Sequence, residues 1–196
     1  NQVWNIPNTD NTVYLTFDDG PTPEITEKIL EILEKHQIKA TFFCIGDNVR
    51  KYPEIVQKII SKHHSVGNHT YSHLKGWKTN TKTYLSITEA CEIKLNWLFK
   101  IYNSKLFRPP YGKITPWQSY KLRKLVYKII MWDVLSKDYD SNLSSETCYE
   151  NVINNVTSGS VIVFHDSVKA QNNVLNSLDK TISTLKSKGF NFEKIA

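Results

Sequence analysis

Short apolar runs of strand-forming residues alternate along the whole chain with stretches whose apolar residues recur at helical spacing. The first run, Thr12–Phe17, ends in Asp18-Asp19-Gly20. Thr22-Pro23 then predicts a helix start, with Thr22 as N-cap and Pro23 in the first turn, where its missing N–H costs nothing. Ile25, Ile29, Ile32 and Leu33 form the apolar stripe of that helix. Further strands are predicted at Ala40–Ile45, Ser65–Asn68, Leu106–Phe107, Tyr127–Met131, Ser160–Phe164 and Phe190–Ile195. Helices are predicted from Pro53 (with Ile55, Val56, Ile59 and Ile60) and over Thr83–Tyr102, Pro116–Leu125, Ser144–Val156 and Val174–Lys188, the last stopped by Gly189. Strands separated by helices pair side by side through crossovers, as βαβ units of a parallel α/β sheet. About seven strands are enough to curl into an incomplete barrel, with an open doubly wound sheet as the alternative. In both, polar residues at the carboxyl ends of strands gather at one mouth.

Composition narrows the class. A chain of 196 residues suits a single domain, 1–196, around one core. Hydrophobic residues at 40% and charged residues at 22% are those of a globular protein and argue against disorder. The formal net charge is +6, but the lysines are scattered without a run of five, so no nucleic-acid partner is expected. Attraction to an anionic polymer or cell surface is equally compatible with that charge. Cys44, Cys91 and Cys148 lack close metal-ligand spacing, and Cys44 in ATFFCIG reads as a small buried hydrophobe. No apolar stretch approaches the ~18 residues of a membrane span. No signal peptide is visible, although a chain beginning Asn1-Gln2-Val3, without initiator Met, proves nothing about export.

The unusual residues follow the strands. Asp18 and Asp19 are adjacent carboxylates that repel and need a cation or hydrogen bonds if buried, though Asp-Asp-Gly also suits a plain turn. His69 and His73 in HTYSH stand four apart, which predicts two imidazoles on one side of a helical turn, as a bidentate metal site requires; two surface histidines are the other reading. One carboxylate and two histidines make a three-ligand site with a fourth position open for water, and the second carboxylate is then free as a base. Arg108, in RPPYG, could hold Asp18 ionised. His165, after VIVF, could protonate a leaving group, or be an ordinary core histidine. His36, His63 and His64 are predicted as solvated helix residues.

TFDDG, HTYSH, RPPYG and a terminal apolar-x-His, in this order, resemble the signature motifs of the polysaccharide deacetylases, carbohydrate esterase family 4 with its NodB-homology domain. The resemblance runs from about Leu15 to His165 and beyond, and ATFFCIG resembles the family's second strand. It implies a distorted (β/α)7-type barrel and a divalent metal, zinc foremost, with cobalt or nickel as alternatives. It implies Asp19, His69 and His73 as metal ligands, Asp18 as base, His165 as acid and Arg108 as the residue positioning the base. It further implies the Tyr111 N–H as an oxyanion donor and Asp138 as the residue tuning His165. The family's fourth motif departs here: Leu135-Ser136-Lys137-Asp138-Tyr139 keeps the second acid, but Leu135 replaces the first and Tyr139 replaces a groove-lining Trp. Val163 replaces the leading Leu of the last motif.

The implied reaction is metal-assisted removal of acetyl groups from N-acetylglucosamine residues of chitin-like, peptidoglycan or related glycans. O-acetylxylan esterase activity, and a silent carbohydrate-binding protein on the same fold, are the rivals. Trp77, Trp117 and Tyr139 are candidates for stacking on sugars, or ordinary core and surface aromatics. A monomer acting on an acetylated poly- or oligosaccharide, secreted or in the cell envelope, is expected from the family.

Overall fold

A computed structural model of the chain describes residues 2–99 and 105–196. In chain order its strands are β1 (Gln2–Val3), β2 (Thr12–Asp18), β3 (Thr41–Cys44), β4 (Ser65–Asn68), β5 (Leu106–Phe107), β6 (Lys128–Ile130), β7 (Val134–Leu135), β8 (Val161–His165) and β9 (Asn191–Phe192). Its α-helices are α1 (Ile25–Lys35), α2 (Gly46–Lys51), α3 (Pro53–Ser61), α4 (Thr81–Phe99), α5 (Pro116–Lys124), α6 (Ser145–Ile153) and α7 (Gln171–Ser187). The strands form one sheet in the order β1-β6-β5-β4-β3-β2-β8-β7, with β9 beside β2, and every pairing is parallel.

This is the distorted (β/α) barrel rather than the open doubly wound sheet. The chain entering from β1 turns toward β8, where Asn5 bridges Ser160 and the Ile6 N–H donates to the Gly159 carbonyl at 2.9 Å. The strands are apolar because both faces are covered. Phe17 and Phe42 stack at 5.0 Å between ring centres, on a core shared with Ile29 and Leu33 of α1 and Leu178 and Ile182 of α7. Each such buried side chain contributes about 1.5–3 kcal/mol by leaving water.

Register decides what meets at the mouth. Asp18 pairs with His165, Cys44 with Asn68, and Asn68 with Phe107. The residues that leave these strands, Asp19, His69 and Arg108 among them, therefore emerge along one rim.

Several expectations need correcting. The first helix starts at Ile25, not at Thr22-Pro23. Thr22 does not cap it; its N–H instead donates to the Thr26 hydroxyl, while Glu27 accepts the N–H of Glu24. The last helix begins at Gln171 rather than Val174, and Gly189, at φ +83°, follows its end as expected. The final strand is only Asn191–Phe192. The helix predicted over Thr83–Tyr102 spans Thr81–Phe99, and its predicted end at 100–102 lies outside the described residues. The sequence reading missed β1, β7 and α2. Two-residue strands carry no periodicity, and α2, GDNVRK, offers Val49 as its single apolar side chain.

His64 is not solvated. It is buried between β3 and β4, where its Nδ1 accepts the Ala40 N–H at 3.1 Å. Burial, reinforced by Lys39, Lys194 and Lys62, pushes its pKa down to about 4, so the ring stays neutral. No helix among the described residues is long and apolar enough to cross a membrane.

Candidate active site

Strand β2 delivers both aspartates. Asp18, its last residue, is buried, and its Oδ1 accepts from Arg108 Nη1 at 2.8 Å. Arg108 is itself sealed from solvent and spends its remaining donors on Thr16 Oγ1 (2.7 Å), the Ile130 carbonyl (3.2 Å) and the Met131 carbonyl (2.9 Å). Its guanidinium lies over the Phe43 ring at 4.2 Å. Burial lowers the Arg108 pKa and the facing Asp18 carboxylate opposes that shift.

Asp19 leaves the strand at φ +83°, a costly conformation for a residue with a Cβ. Three contacts impose it. Asn48, on α2, donates to the Asp19 carbonyl at 2.8 Å. The Ile45 N–H donates to the Gly20 carbonyl at 2.9 Å. The Gly20 N–H donates to Asp166 Oδ1 at 2.9 Å. A Cβ at position 20 would lie 1.8 Å from Asp166 Oδ2, so only glycine fits there. Asp166, beside His165, was not singled out from sequence. It is buried, accepts from Thr26 Oγ1 at 2.6 Å, and burial pushes its carboxyl up to about 7.

His69 and His73 do meet, but not on a helical turn. HTYSH is a loop in which Thr70 and His73 both take positive φ. Asn68 shapes it, its Oδ1 accepting the Thr70 N–H at 2.8 Å, and Thr70 Oγ1 accepts the His73 N–H at 3.1 Å. His69 Nδ1 lies 2.8 Å from the Arg108 carbonyl. A carbonyl only accepts, so Nδ1 carries a proton and Nε2 is the nitrogen turned toward Asp19.

Asp19 Oδ1 stands 3.0 Å from His73 Nε2 and 3.5 Å from His69 Nε2. The three donor atoms lie within 4.8 Å of one another. Although buried, Asp19 Oδ1 has no hydrogen-bond partner among the described residues. Burial opposes its ionisation, yet the two imidazoles outweigh that and hold its carboxyl far below the usual range. An orphaned carboxylate oxygen between two inward imidazole nitrogens is a donor set that suits a divalent cation.

His165 stands on the other side, at the end of β8. Asp138 holds it twice, Oδ1 at 2.7 Å from the ring Nδ1 and Oδ2 accepting the His165 N–H at 2.7 Å. Burial disfavours charge on this ring, but Asp138, with Asp18 and Asp19 behind it, pushes its pKa up to about 9. Tyr111 sits in the RPPYG turn at φ 59°, its ring 4.6 Å from that of His73. The turn's own bonds run from Gly112 to Pro109 and from Lys113 to Pro110, and among the described residues the Tyr111 N–H has no backbone acceptor.

A cavity of about 510 Å³ joins Asp18, Asp19, His69, His73, Tyr111 and His165. Leu135, Tyr139 and Val163, where the fourth and last motifs depart from the family, line its wall. Tyr139 packs edge-on against His165 at 5.0 Å. Trp77 and Trp117 do not line this cavity; they lie outside it, 64% and 56% exposed, because they sit on the turn before α4 and on the outer face of α5. The indole that does line it is Trp132, just past the carboxyl end of β6. Its position beyond the predicted Tyr127–Met131 strand was the signal available in the sequence.

Fold and mouth together place the chain among the barrel-fold carbohydrate esterases. Residues 5–130 match the family described as Polysaccharide deacetylase, and the chain belongs to that family. It is 41% identical over 181 residues to a peptidoglycan-N-acetylglucosamine deacetylase of Bacillus cereus, covering 92% of this chain and 65% of that relative, so it spans just under two thirds of the relative's length. Among solved structures, a peptidoglycan N-acetylglucosamine deacetylase superposes with a TM-score of 0.94 at 38% identity, over 99% of this chain and 90% of that one. A Bacillus anthracis protein described as a pseudoenzyme of the same family shares the fold, with a TM-score of 0.90 at 22% identity over 100% of this chain and 67% of that one.

Proposed function

We propose that the chain hydrolyses the acetamide of N-acetylglucosamine residues in peptidoglycan, chitin-like or related glycans, releasing acetate and a free amine. The observation that carries this reading is the pairing of β2 with β8. It sets a carboxylate gripped by Arg108 level with an imidazole gripped by Asp138, in the cavity that the Asp19-His69-His73 donor set also lines.

A divalent metal, zinc foremost, held by Asp19, His69 and His73 supplies Lewis-acid polarisation of the acetyl carbonyl and a more acidic water. Asp18 takes the proton from the attacking water, and Arg108, 2.8 Å from its Oδ1, holds the carboxylate in place. The Tyr111 N–H donates to the acetyl oxygen as charge builds on it, a contribution of about 3–4 kcal/mol for a well-placed donor in other enzymes. His165 delivers the proton from Nε2 to the leaving nitrogen. An amine leaving group needs that proton more than an alkoxide does, so an imidazolium with a raised pKa favours N-deacetylation over hydrolysis of acetylxylan esters. The complete acid, base and metal-ligand set argues against a silent binding protein. Such substrates are exported polymers, which puts the site of action in the cell envelope or outside the cell.

The test is acetate release from N-acetylglucosamine oligosaccharides by zinc-loaded protein, with acetylxylan alongside. A chelator abolishes release, and Asp18→Asn and His165→Ala each cut it at least a hundredfold, within the span expected for acid–base groups. Undiminished activity in both variants would overturn the assignment.

A further inference from the structure

Charge is segregated along this chain, although no long basic run occurs. The 40 residues 93–132 hold nine of the 25 Lys and Arg and none of the 19 Asp and Glu, so the rest of the chain, with 16 basic against 19 acidic residues, is net negative. The same segment carries seven of the eleven exposed large hydrophobic side chains among the described residues. Helix α5 lies within it and, alone among the seven helices of the described residues, contains no acid.

The outer face of α5 joins the two features. Gln118, Ser119 and Leu122 bury the inner side of the helix. Opposite them, at helical spacing, stand Trp117, Tyr120, Lys121 and Lys124. The Trp117 and Tyr120 rings stack at 5.3 Å with 16° between their planes. Lys121 Nζ lies 4.6 Å over the Trp117 ring, and Lys124 Nζ 5.7 Å over that of Tyr120. Each ring is thus already engaged by the other and by an ammonium group, which leaves little free face for a sugar. Past the end of the helix, Leu125 and Val126 are both more than half exposed, and Val126 sits at φ 61°. That conformation is strained for a β-branched residue, and glycine is the usual occupant at such a helix end. Neither packing nor backbone preference accounts for an apolar side chain there.

We propose that the outer face of α5 rests on the surface of an anionic lipid bilayer. The helix lies along the headgroups rather than crossing them: Lys121 and Lys124 meet lipid phosphates, and Trp117 and Tyr120 enter the boundary with the acyl chains. A soluble polyanion would engage the lysines but gain little from an exposed indole or from Leu125 and Val126. A bilayer interface takes up both chemistries. Nine residues make a small footprint, so the contact is weak, reversible and screened by salt. None of Trp117, Tyr120, Lys121 and Lys124 lines the catalytic cavity, so the surface stands independently of the deacetylase reading.

The probe is a vesicle of phosphatidylcholine with about one third phosphatidylglycerol, compared with pure phosphatidylcholine vesicles and with soluble poly(glycerol phosphate). The readout is the partition coefficient of the full chain in a flotation assay. The parent is expected to prefer the anionic vesicles about tenfold at low salt, a preference that falls toward one at about 0.5 M salt. Lys121→Gln and Lys124→Gln each lower partition about fivefold, the scale of one lysine at an anionic membrane surface. Trp117→Ser combined with Tyr120→Ser keeps the charge and lowers partition about tenfold. Melting temperatures verify that each variant is folded, and if the double variant is not, the two lysine variants decide. Equal partition onto both vesicles, or partition that the substitutions leave unmoved, overturns the proposal. So does retention on the soluble polymer without vesicle binding, which would reassign the face to an anionic polymer.

Discussion

Arg108 and Asp18 face each other at 2.8 Å with both side chains withdrawn from water. Removing one partner of such a pair leaves an uncompensated buried charge, which costs about 3–5 kcal/mol. Arg108→Met therefore unfolds at clearly lower denaturant concentration than the parent. Arg108→Lys recovers little, because one ammonium cannot replace donors that reach Thr16, Asp18, Ile130 and Met131 at fixed angles. Chevron-free equilibrium urea melts suffice; a loss under about 1 kcal/mol in Arg108→Met would contradict the arrangement.

The Asp138–His165 pair predicts a pH profile. With the His165 pKa near 9, kcat/KM falls on the alkaline side as the imidazolium is lost around that pH. In Asp138→Asn the strongest interaction opposing burial is gone, although Asp18 and Asp19 remain, and the limb moves to lower pH. The same shift carries stability: a raised folded pKa stabilises fully below 6.5 and is lost as pH climbs from 6.5 through 9. Melting temperatures across that window decline in the parent and are flatter in Asp138→Asn. Identical slopes would refute the coupling.

His64 works in the opposite direction. Its folded pKa, near 4, lies below the ordinary 6.5. Protonation is therefore easier in the unfolded chain, and stability drops as pH falls from 6.5 toward 4, by roughly 3 kcal/mol at most. Subtracting the profile of His64→Gln, whose amide oxygen can still accept the Ala40 N–H, isolates this contribution from that of the carboxylates. A difference curve flat with pH would remove the assignment.

Gly20 gives a steric prediction. A methyl at this position meets the Asp166 carboxylate at 1.8 Å, so the loop or the acid must move. Gly20→Ala is expected to lose about 1–3 kcal/mol, the range for overpacking. Because Asp19 is the preceding residue, zinc affinity weakens about tenfold or more, as when outer contacts of a metal site are disturbed. Calorimetric zinc titration measures this directly, and parent-like affinity with an unchanged melting temperature would sink it.

The alternation of runs such as TVYLTF and VIVF with amphipathic segments was enough to reveal a parallel α/β sheet, because strand and helix periods are local properties of the chain. TFDDG, HTYSH, RPPYG and the last histidine were equally readable, since each pairs unusual residue types with the end of a strand. Local sequence could not supply the rim that gathers them. Asn48 on the unpredicted helix α2 and Asp166 beside β8 bend Asp19 into its positive-φ place, and Asn68 folds HTYSH into a loop rather than a helical turn. Nor could it distinguish Trp132, inside the cavity, from Trp77 and Trp117 outside it, or His64 in the core from a solvated neighbour. Periodicity records which side of an element is buried. Only the register of β2 against β8 and of β4 against β5, set by the packing of the whole barrel, determines which side chains face one another across the mouth.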